Sequence, residues 1–278
     1  MDNRFIVALD QSGGSVYDAL SNYGINNFND NLFDTMHDFR KRIVKSKCFN
    51  SDRIYGVILP YDEISSEIDG VNFVKFLNDK GIVVFVKIDN GLLKEENGVC
   101  MMKDIHNVDD TLEELKKTFV YGTKMRSLIV KNERKGIKNI VKQQFELAKK
   151  ICSYGLVPIV EPEVSIYSSE KCDCEILLKD EISKQLKLLE NEKIILKLTI
   201  PTIDGLYDEL FESNSVLKLT CLSGGYSRRE AVWKISRNRN ITACFSRAFL
   251  EGLNVSQSDE EFESTLDKII NNIYRRKI

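Results

Sequence analysis

The sequence predicts a single-domain α/β fold, a (β/α)8 TIM barrel, on three observations. Short apolar runs rich in β-branched residues alternate with longer amphipathic stretches along the chain. There are eight such runs, the number of strands that closes this kind of barrel. The chain has 278 residues, near the roughly 250 that one barrel occupies. Strands alternating with helices make βαβ units, hence a parallel sheet covered by helices. No Pro/Gly/Ser-rich linker, low-complexity tract or shift of composition interrupts residues 1–278, so one domain is expected.

The predicted strands are 5–10, 55–60, 83–89, 121–126, 156–163, 194–200, 216–223 and 241–247. Helices are expected over 71–80, 109–117, 136–151, 175–189, 206–212, 227–236 and 259–274. In 136–151 the apolar residues Ile137, Ile140, Val141, Phe145, Ala148 and Ile151 recur at helical spacing. Gly81 and Gly155 supply helix stops ahead of a strand. The segment 26–48 predicts an extra helix between the first two strands, with Phe33, Met36, His37, Arg40 and Val44 on one face.

Composition narrows the function. Hydrophobic residues make up 42% and charged residues 29%, as in folded soluble proteins. A formal net charge of −2 offers no basic surplus for nucleic acid. The run from Phe5 to Leu9 is too short to span a bilayer, and no secretory leader is recognisable, so a cytoplasmic protein that does not engage membranes is expected. Seven cysteines in no regular framework argue against a disulfide scaffold. With two histidines, His37 and His106, and a lone Cys172-Asp173-Cys174, no metal site is expected. No sequence pattern sets an oligomeric state.

The placement of charge on the strands is more informative. Side chains alternate between the two faces of a strand. In 194–200, Ile194, Leu196, Leu198 and Ile200 form an aliphatic face suited to a helix layer, so Lys197 points into the barrel. Val84, Val86 and Ile88 likewise face outward and leave Lys87 inside. Lys124 shares a face with Arg126, and Glu161 with Glu163; the first strand ends in Asp10 and the eighth in Arg247. These charges lie at or near the C-terminal ends of their strands, where (β/α)8 barrels carry their active sites. Lys197 stands out, because an ammonium in a strand of Ile, Leu and Thr is costly to bury without purpose.

A lysine amine attacks a carbonyl only after losing its proton, and burial and nearby cations both lower its pKa. Lys197, with Lys124 approaching across the barrel, is expected to be such an amine. The iminium it forms is an electron sink, permitting C–C cleavage without a metal, while Asp10 and Glu161 move protons. Two glycine-rich turns supply anion cradles. Ser223-Gly224-Gly225 follows the seventh strand, where these barrels commonly bind phosphate, and Arg247 adds a charged fork. Ser12-Gly13-Gly14-Ser15 follows the first strand. Two cradles flanking a lysine fit a sugar phosphorylated at both ends.

Taken in order, the segments ALDQSGGS at 8–15, FVKID at 85–89, GTKMRS at 122–127, LVPIVEPEV at 156–164, ILKLTIP at 195–201, LSGGYS at 222–227 and FSRA at 245–248 resemble the class I fructose-bisphosphate aldolases, specifically the short bacterial form. The resemblance implies a metal-independent lyase of glycolysis and gluconeogenesis. It would cleave fructose 1,6-bisphosphate reversibly to dihydroxyacetone phosphate and glyceraldehyde 3-phosphate, with no cofactor beyond a covalent lysine Schiff base. It also implies roles. Lys197 is the Schiff-base lysine, Glu161 the acid/base for carbinolamine dehydration assisted by Lys124, and Asp10 the acceptor of the C4 hydroxyl proton. Arg247, Ser223, Gly224 and Gly225 contact the C1 phosphate; Ser12, Ser15 and Lys87 contact the C6 end; Arg126 and Glu163 are supporting charges. The chain departs from larger members, which carry a helix before the first strand and a C-terminal tyrosine that transfers a proton. Tyr274 is not given that role. A class I aldolase for another ketose bisphosphate, such as tagatose 1,6-bisphosphate, and a non-catalytic barrel scaffold are the alternative readings.

Overall fold

In a computed structural model, which describes residues 2–26 and 31–276, eight parallel strands close into a barrel. They are β1 (Phe5–Ala8), β2 (Ile54–Leu59), β3 (Val83–Lys87), β4 (Gly122–Ile129), β5 (Val157–Val164), β6 (Ile194–Thr199), β7 (Val216–Leu222) and β8 (Ile241–Phe245). Each pairs with its sequence neighbours, β3 pairs with β4 from Phe85↔Gly122 to Lys87↔Lys124, and β8 returns to β1 through Ile6↔Cys244 and Val7↔Phe245.

The eight predicted strands are all present. At several ends the chain leaves the ladder earlier than expected; β1 stops at Ala8 and β8 at Phe245. In contrast, β4 runs on to Ile129, because an antiparallel ribbon at Val99–Cys100 pairs with Leu128 and Ile129.

The helices are α1 (Gly14–Tyr23), α2 (Leu32–Lys45), α3 (Phe73–Asp79), α4 (Val108–Lys116), α5 (Arg134–Ser153), α6 (Lys171–Leu186), α7 (Arg228–Ser236), α8 (Arg247–Leu250) and α9 (Asp259–Arg275). Residues 27–30 of the predicted 26–48 helix, and residues 1, 277 and 278 of the chain, lie outside the described residues. Two predictions are corrected. The stretch 206–212 holds only a 3-10 turn at Asp208–Glu212, since Gly205, at φ +77°, breaks the chain just before it. The start of the 71–80 helix is instead one strand of a two-residue hairpin, Glu67–Ile68 with Val71–Asn72. The SGGS turn opens directly into α1, a helix that the sequence analysis does not predict.

Two apolar layers hold the barrel together. The outward strand residues, among them Val84, Val86, Leu196 and Leu198, pack under the helices with Phe39, Phe145, Leu178 and Phe262. Inside, Ile6, Ala8, Ile58, Phe85, Ile159, Ile195 and Cys244 form a separate plug. Phe85 fits because Gly122 has no side chain; a Cβ there would lie 1.9 Å from the Val157 carbonyl oxygen and 3.0 Å from the ring. Lys87, Glu161 and Lys197 follow the plug residues Phe85, Ile159 and Ile195 by two positions on their strands, which sets them on the C-terminal side of the plug. Among the described residues no helix is long and apolar enough to cross a membrane.

Candidate active site

The mouth encloses a cavity of about 510 Å³. It is lined by Asp10, Ser12, Ser15, Lys87, Lys124, Arg126, Glu161, Glu163, Lys197, Ser223, Gly224 and Arg247, which brings together every predicted site residue but Gly225. Gly225 lies one residue further on and lines an adjoining hollow of about 300 Å³ that also reaches Arg247.

Alternation along the strands explains the convergence. Ile195 and Lys197 share the inward face of β6, with Ile195 in the plug and Lys197 in the cavity above it. Lys87 sits above Phe85 in the same way on β3, as does Glu161 above Ile159 on β5. Lys124 lies near the start of β4 rather than at its end, yet its register opposite Lys87 and Ile159 brings it to the same height.

The charges form one buried chain. Lys197 Nζ stands 3.0 Å from Glu161 Oε1, and Lys124 Nζ 2.9 Å from Glu161 Oε2. Lys124 also reaches Asp10 Oδ2 at 3.1 Å. The two lysines therefore meet through Glu161, which is only 2% exposed. The backbone N–H of Glu161 donates to Gln144 Oε1 at 2.8 Å, pinning the strand independently of the carboxylate. Arg126 Nε donates to Glu163 Oε2 at 2.5 Å, and Lys87 Nζ to Ser12 Oγ at 2.5 Å.

Each proton position follows from these contacts. Burial pushes the Asp10 carboxyl up, but the Lys124 and Lys197 ammonium groups outweigh it and hold it down at about 2. Glu161 is held below the usual carboxylate range by the same balance, with Lys124, Lys197 and Arg126 opposing burial. Lys124 is pulled down by burial but lifted well above the lysine range by Asp10, Glu161 and Asp89.

Lys197 corrects an expectation. Burial and Lys124 do pull its amine down, yet Cys244, Glu161 and Asp10 outweigh them and raise it above the ordinary lysine value. Burial pushes the Cys244 thiol itself up to about 12, so it is neutral at pH 7 and the carboxylates supply the attraction. These contacts favour the ammonium form of Lys197 in the free protein, and Glu161 Oε1, at 3.0 Å, is its nearest carboxylate oxygen.

The two glycine-rich turns flank this chain. Gly224 and Gly225 adopt φ +63° and +127°, which side-chain-bearing residues rarely reach, and a Cβ on Gly224 would meet Ile166 at 2.6 Å. Ser223 is buried beside them. Arg247 is not the end of the eighth strand but the first residue of α8; it is exposed, and among the described residues no carboxylate pairs with its guanidinium. Opposite, Ser12 N–H donates to Ser15 Oγ at 3.1 Å, closing the turn at the N-terminus of the ten-residue α1.

Sequence reasoning passed over eight residues of the cavity lining, among them Asp89, Cys244, Gln11 and Ser246. Asp89, 8% exposed, stands 3.5 Å from Lys87 and 4.0 Å from Lys124; the alternation that turned Lys87 inward also turns its i+2 neighbour inward. Cys244 lies in the plug and the cavity lining. Gln11 and Ser246 also line the cavity, and their 2.7 Å hydrogen bond ties the ends of β1 and β8. No local pattern in the sequence announces that pair.

A family profile described as glycolytic, fructose-bisphosphate aldolase class-I, matches residues 1–203. A protein of Clostridium acetobutylicum named fructose-bisphosphate aldolase class 1 is 49% identical, over 100% of this chain and 96% of its own length. Among solved structures, a fructose-bisphosphate aldolase from Plasmodium falciparum, in a ternary complex with TRAP and a small-molecule inhibitor, matches with a TM-score of 0.75 at 18% identity, covering 100% of this chain and 92% of that one. A protein from Corynebacterium glutamicum matches with a TM-score of 0.56 at 14% identity, covering 98% of this chain and 85% of that one. At such identities these two likenesses speak to the barrel fold.

Proposed function

The chain belongs to the class-I fructose-bisphosphate aldolase family, and on that premise we propose that it cleaves fructose 1,6-bisphosphate by covalent catalysis at Lys197, reversibly, in the cytoplasm and without a metal. The observation that carries this reading is the Lys197–Glu161–Lys124–Asp10 chain, buried at a barrel mouth between two anion cradles.

The substrate's phosphates lie at the cradles, C1 toward Ser223, Gly224, Gly225 and Arg247, and C6 toward Ser12, Ser15 and Lys87. That arrangement sets the C2 carbonyl at Lys197. Lys197 passes a proton to Glu161 and its freed nitrogen bonds to C2, giving a carbinolamine. Glu161 returns the proton to the departing hydroxyl, water leaves, and the iminium forms. Asp10, held ionised beside Lys124, takes the C4 hydroxyl proton. The C3–C4 pair then flows into the iminium as an enamine, and glyceraldehyde 3-phosphate departs. Protonation at C3 and hydrolysis of the imine release dihydroxyacetone phosphate. Lys124 remains an ammonium throughout; it keeps both carboxylates ionised until each has a proton to accept. Arg126 and Glu163 neutralise one another beside Glu161 and fix the wall against which the sugar lies.

Lys197→Met keeps the bulk of the side chain and removes the nucleophile. Cleavage of fructose 1,6-bisphosphate by that variant is expected to vanish, and the wild-type protein is expected to keep full activity in EDTA. Near wild-type turnover by Lys197→Met, or loss of activity on chelation, would overturn the reading.

A further inference from the structure

Asp10 sits where the chain has just left the sheet. The last ladder-like contact is Leu9 N–H to the Ile58 carbonyl at 2.9 Å. Beyond it, the carbonyls on either side of Asp10 are held by one side chain from a different element. Arg40, on the inner face of α2 and 2% exposed, donates from Nε to the Leu9 carbonyl at 2.9 Å and from Nη2 to the Gln11 carbonyl at 3.2 Å. Its third donor, Nη1, reaches Glu63 Oε1 at 2.8 Å.

Glu63 is itself fully buried in the turn after β2, where Ser66 Oγ donates to its Oε2 at 2.7 Å. His37 Nδ1 lies 2.8 Å from that same oxygen, and His37 Nε2 lies 3.1 Å from the Glu67 carbonyl. Both carboxylate oxygens are thereby occupied, and the guanidinium is locked in plane. Three separate nitrogens of one rigid, planar group hold two carbonyls and a carboxylate at fixed relative positions, whereas a lysine would bring a single point charge on a flexible stem.

A buried ion pair adds little net stability relative to apolar residues of the same size, so its presence beneath a loop of the mouth calls for another reason. The geometry supplies one. With both neighbouring carbonyls pinned, the backbone of Asp10 has little freedom, and its carboxylate stays at 3.1 Å from Lys124. Ser12, one residue past the second pinned carbonyl, is held within reach of Lys87 by the same restraint.

We propose that Arg40, oriented by Glu63, is a positioning residue that aims Asp10 at the C4 hydroxyl and so governs C3–C4 bond breaking without governing imine formation at Lys197. This rests on the reading of Asp10 as acceptor of that hydroxyl proton.

The test separates the two half-reactions. Borohydride trapping with dihydroxyacetone phosphate reports imine formation, which needs Lys197 and Glu161. Cleavage of fructose 1,6-bisphosphate also needs Asp10. Arg40→Lys is expected to trap at close to the wild-type rate while its kcat for cleavage falls about 100-fold, the scale of loss that accompanies a misplaced catalytic group. The double variant Arg40→Met with Glu63→Met removes both charges together, leaves no unpaired ion, and is expected to show the same split. Asp10→Asn serves as reference and should trap but not cleave. If Asp10→Asn cleaves normally, the underlying reading of Asp10 fails. If Asp10→Asn loses cleavage while the folded Arg40 variants cleave normally, or lose trapping and cleavage in equal proportion, the positioning role is overturned and the reading of Asp10 stands. Failure of both Arg40 variants to fold would make the network a folding element and equally overturn the proposal.

Discussion

Replacing Glu161 by Gln keeps the shape of the side chain and removes the charge that both lysines share. In the wild-type protein its oxygens lie 3.0 Å from Lys197 and 2.9 Å from Lys124. A Gln amide offers one acceptor and turns a donor toward the other ammonium. Removing one partner of a buried ion pair costs about 3–5 kcal/mol. At roughly 2–4 °C per kcal/mol for a chain of this size, the thermal midpoint at neutral pH should fall on the order of 10 °C. The pH dependence carries the sign. The depressed Glu161 carboxyl contributes stability above the ordinary Glu value of 4.5, and that contribution is lost as pH falls through its folded value. The raised Lys197 amine contributes below the ordinary Lys value of 10.5, and that contribution is lost as pH rises through its folded value. The deficit of Glu161→Gln should therefore form a plateau between those limits and narrow on either side. Calorimetric unfolding of both proteins across that range measures it directly. Trapping by the variant should slow about 100-fold or more, because the proposed proton carrier for dehydration is gone. A variant as stable as wild type across the plateau, and trapping at the wild-type rate, would refute the shared-carboxylate geometry.

Two further outcomes follow from the same site. The Asp10 carboxyl is held down at about 2 from an ordinary 3.8, so it contributes about 2 kcal/mol that is present above pH 4 and lost as pH falls toward 2; the stability gap between wild type and Asp10→Asn in urea titrations should close over that interval. Arg247 stands beside the Ser223–Gly224 turn and, among the described residues, pairs with no carboxylate, so Arg247→Ala should raise KM for fructose 1,6-bisphosphate about 10- to 100-fold through loss of the proposed charged hydrogen bond, with the thermal midpoint little changed.

Much of this was legible in the sequence because the barrel is built from period-two strands. One aliphatic face on 194–200 was enough to turn Lys197 inward, and the same alternation placed Lys87 and Glu161 in the cavity. What escaped was set by contacts between distant parts of the chain. The protonation of Lys197 depends on how closely Glu161 approaches, a distance that alternation does not supply. Arg40 reads locally as one polar position on a helix face, since its partners Leu9, Gln11 and Glu63 lie 23 to 31 residues away. Helix α1 was hidden by the glycines of its own N-terminal turn, and 206–212 looked helical in composition but follows a glycine with positive φ.

The proposed reaction depends on a covalent bond between the amine of Lys197 and the substrate carbonyl. Incubation with dihydroxyacetone phosphate and borohydride, followed by peptide mass mapping, tests it most directly. A single reduced adduct is expected on the peptide containing Lys197, absent from Lys197→Met. An adduct on another lysine, or turnover with no trapped adduct, would contradict it.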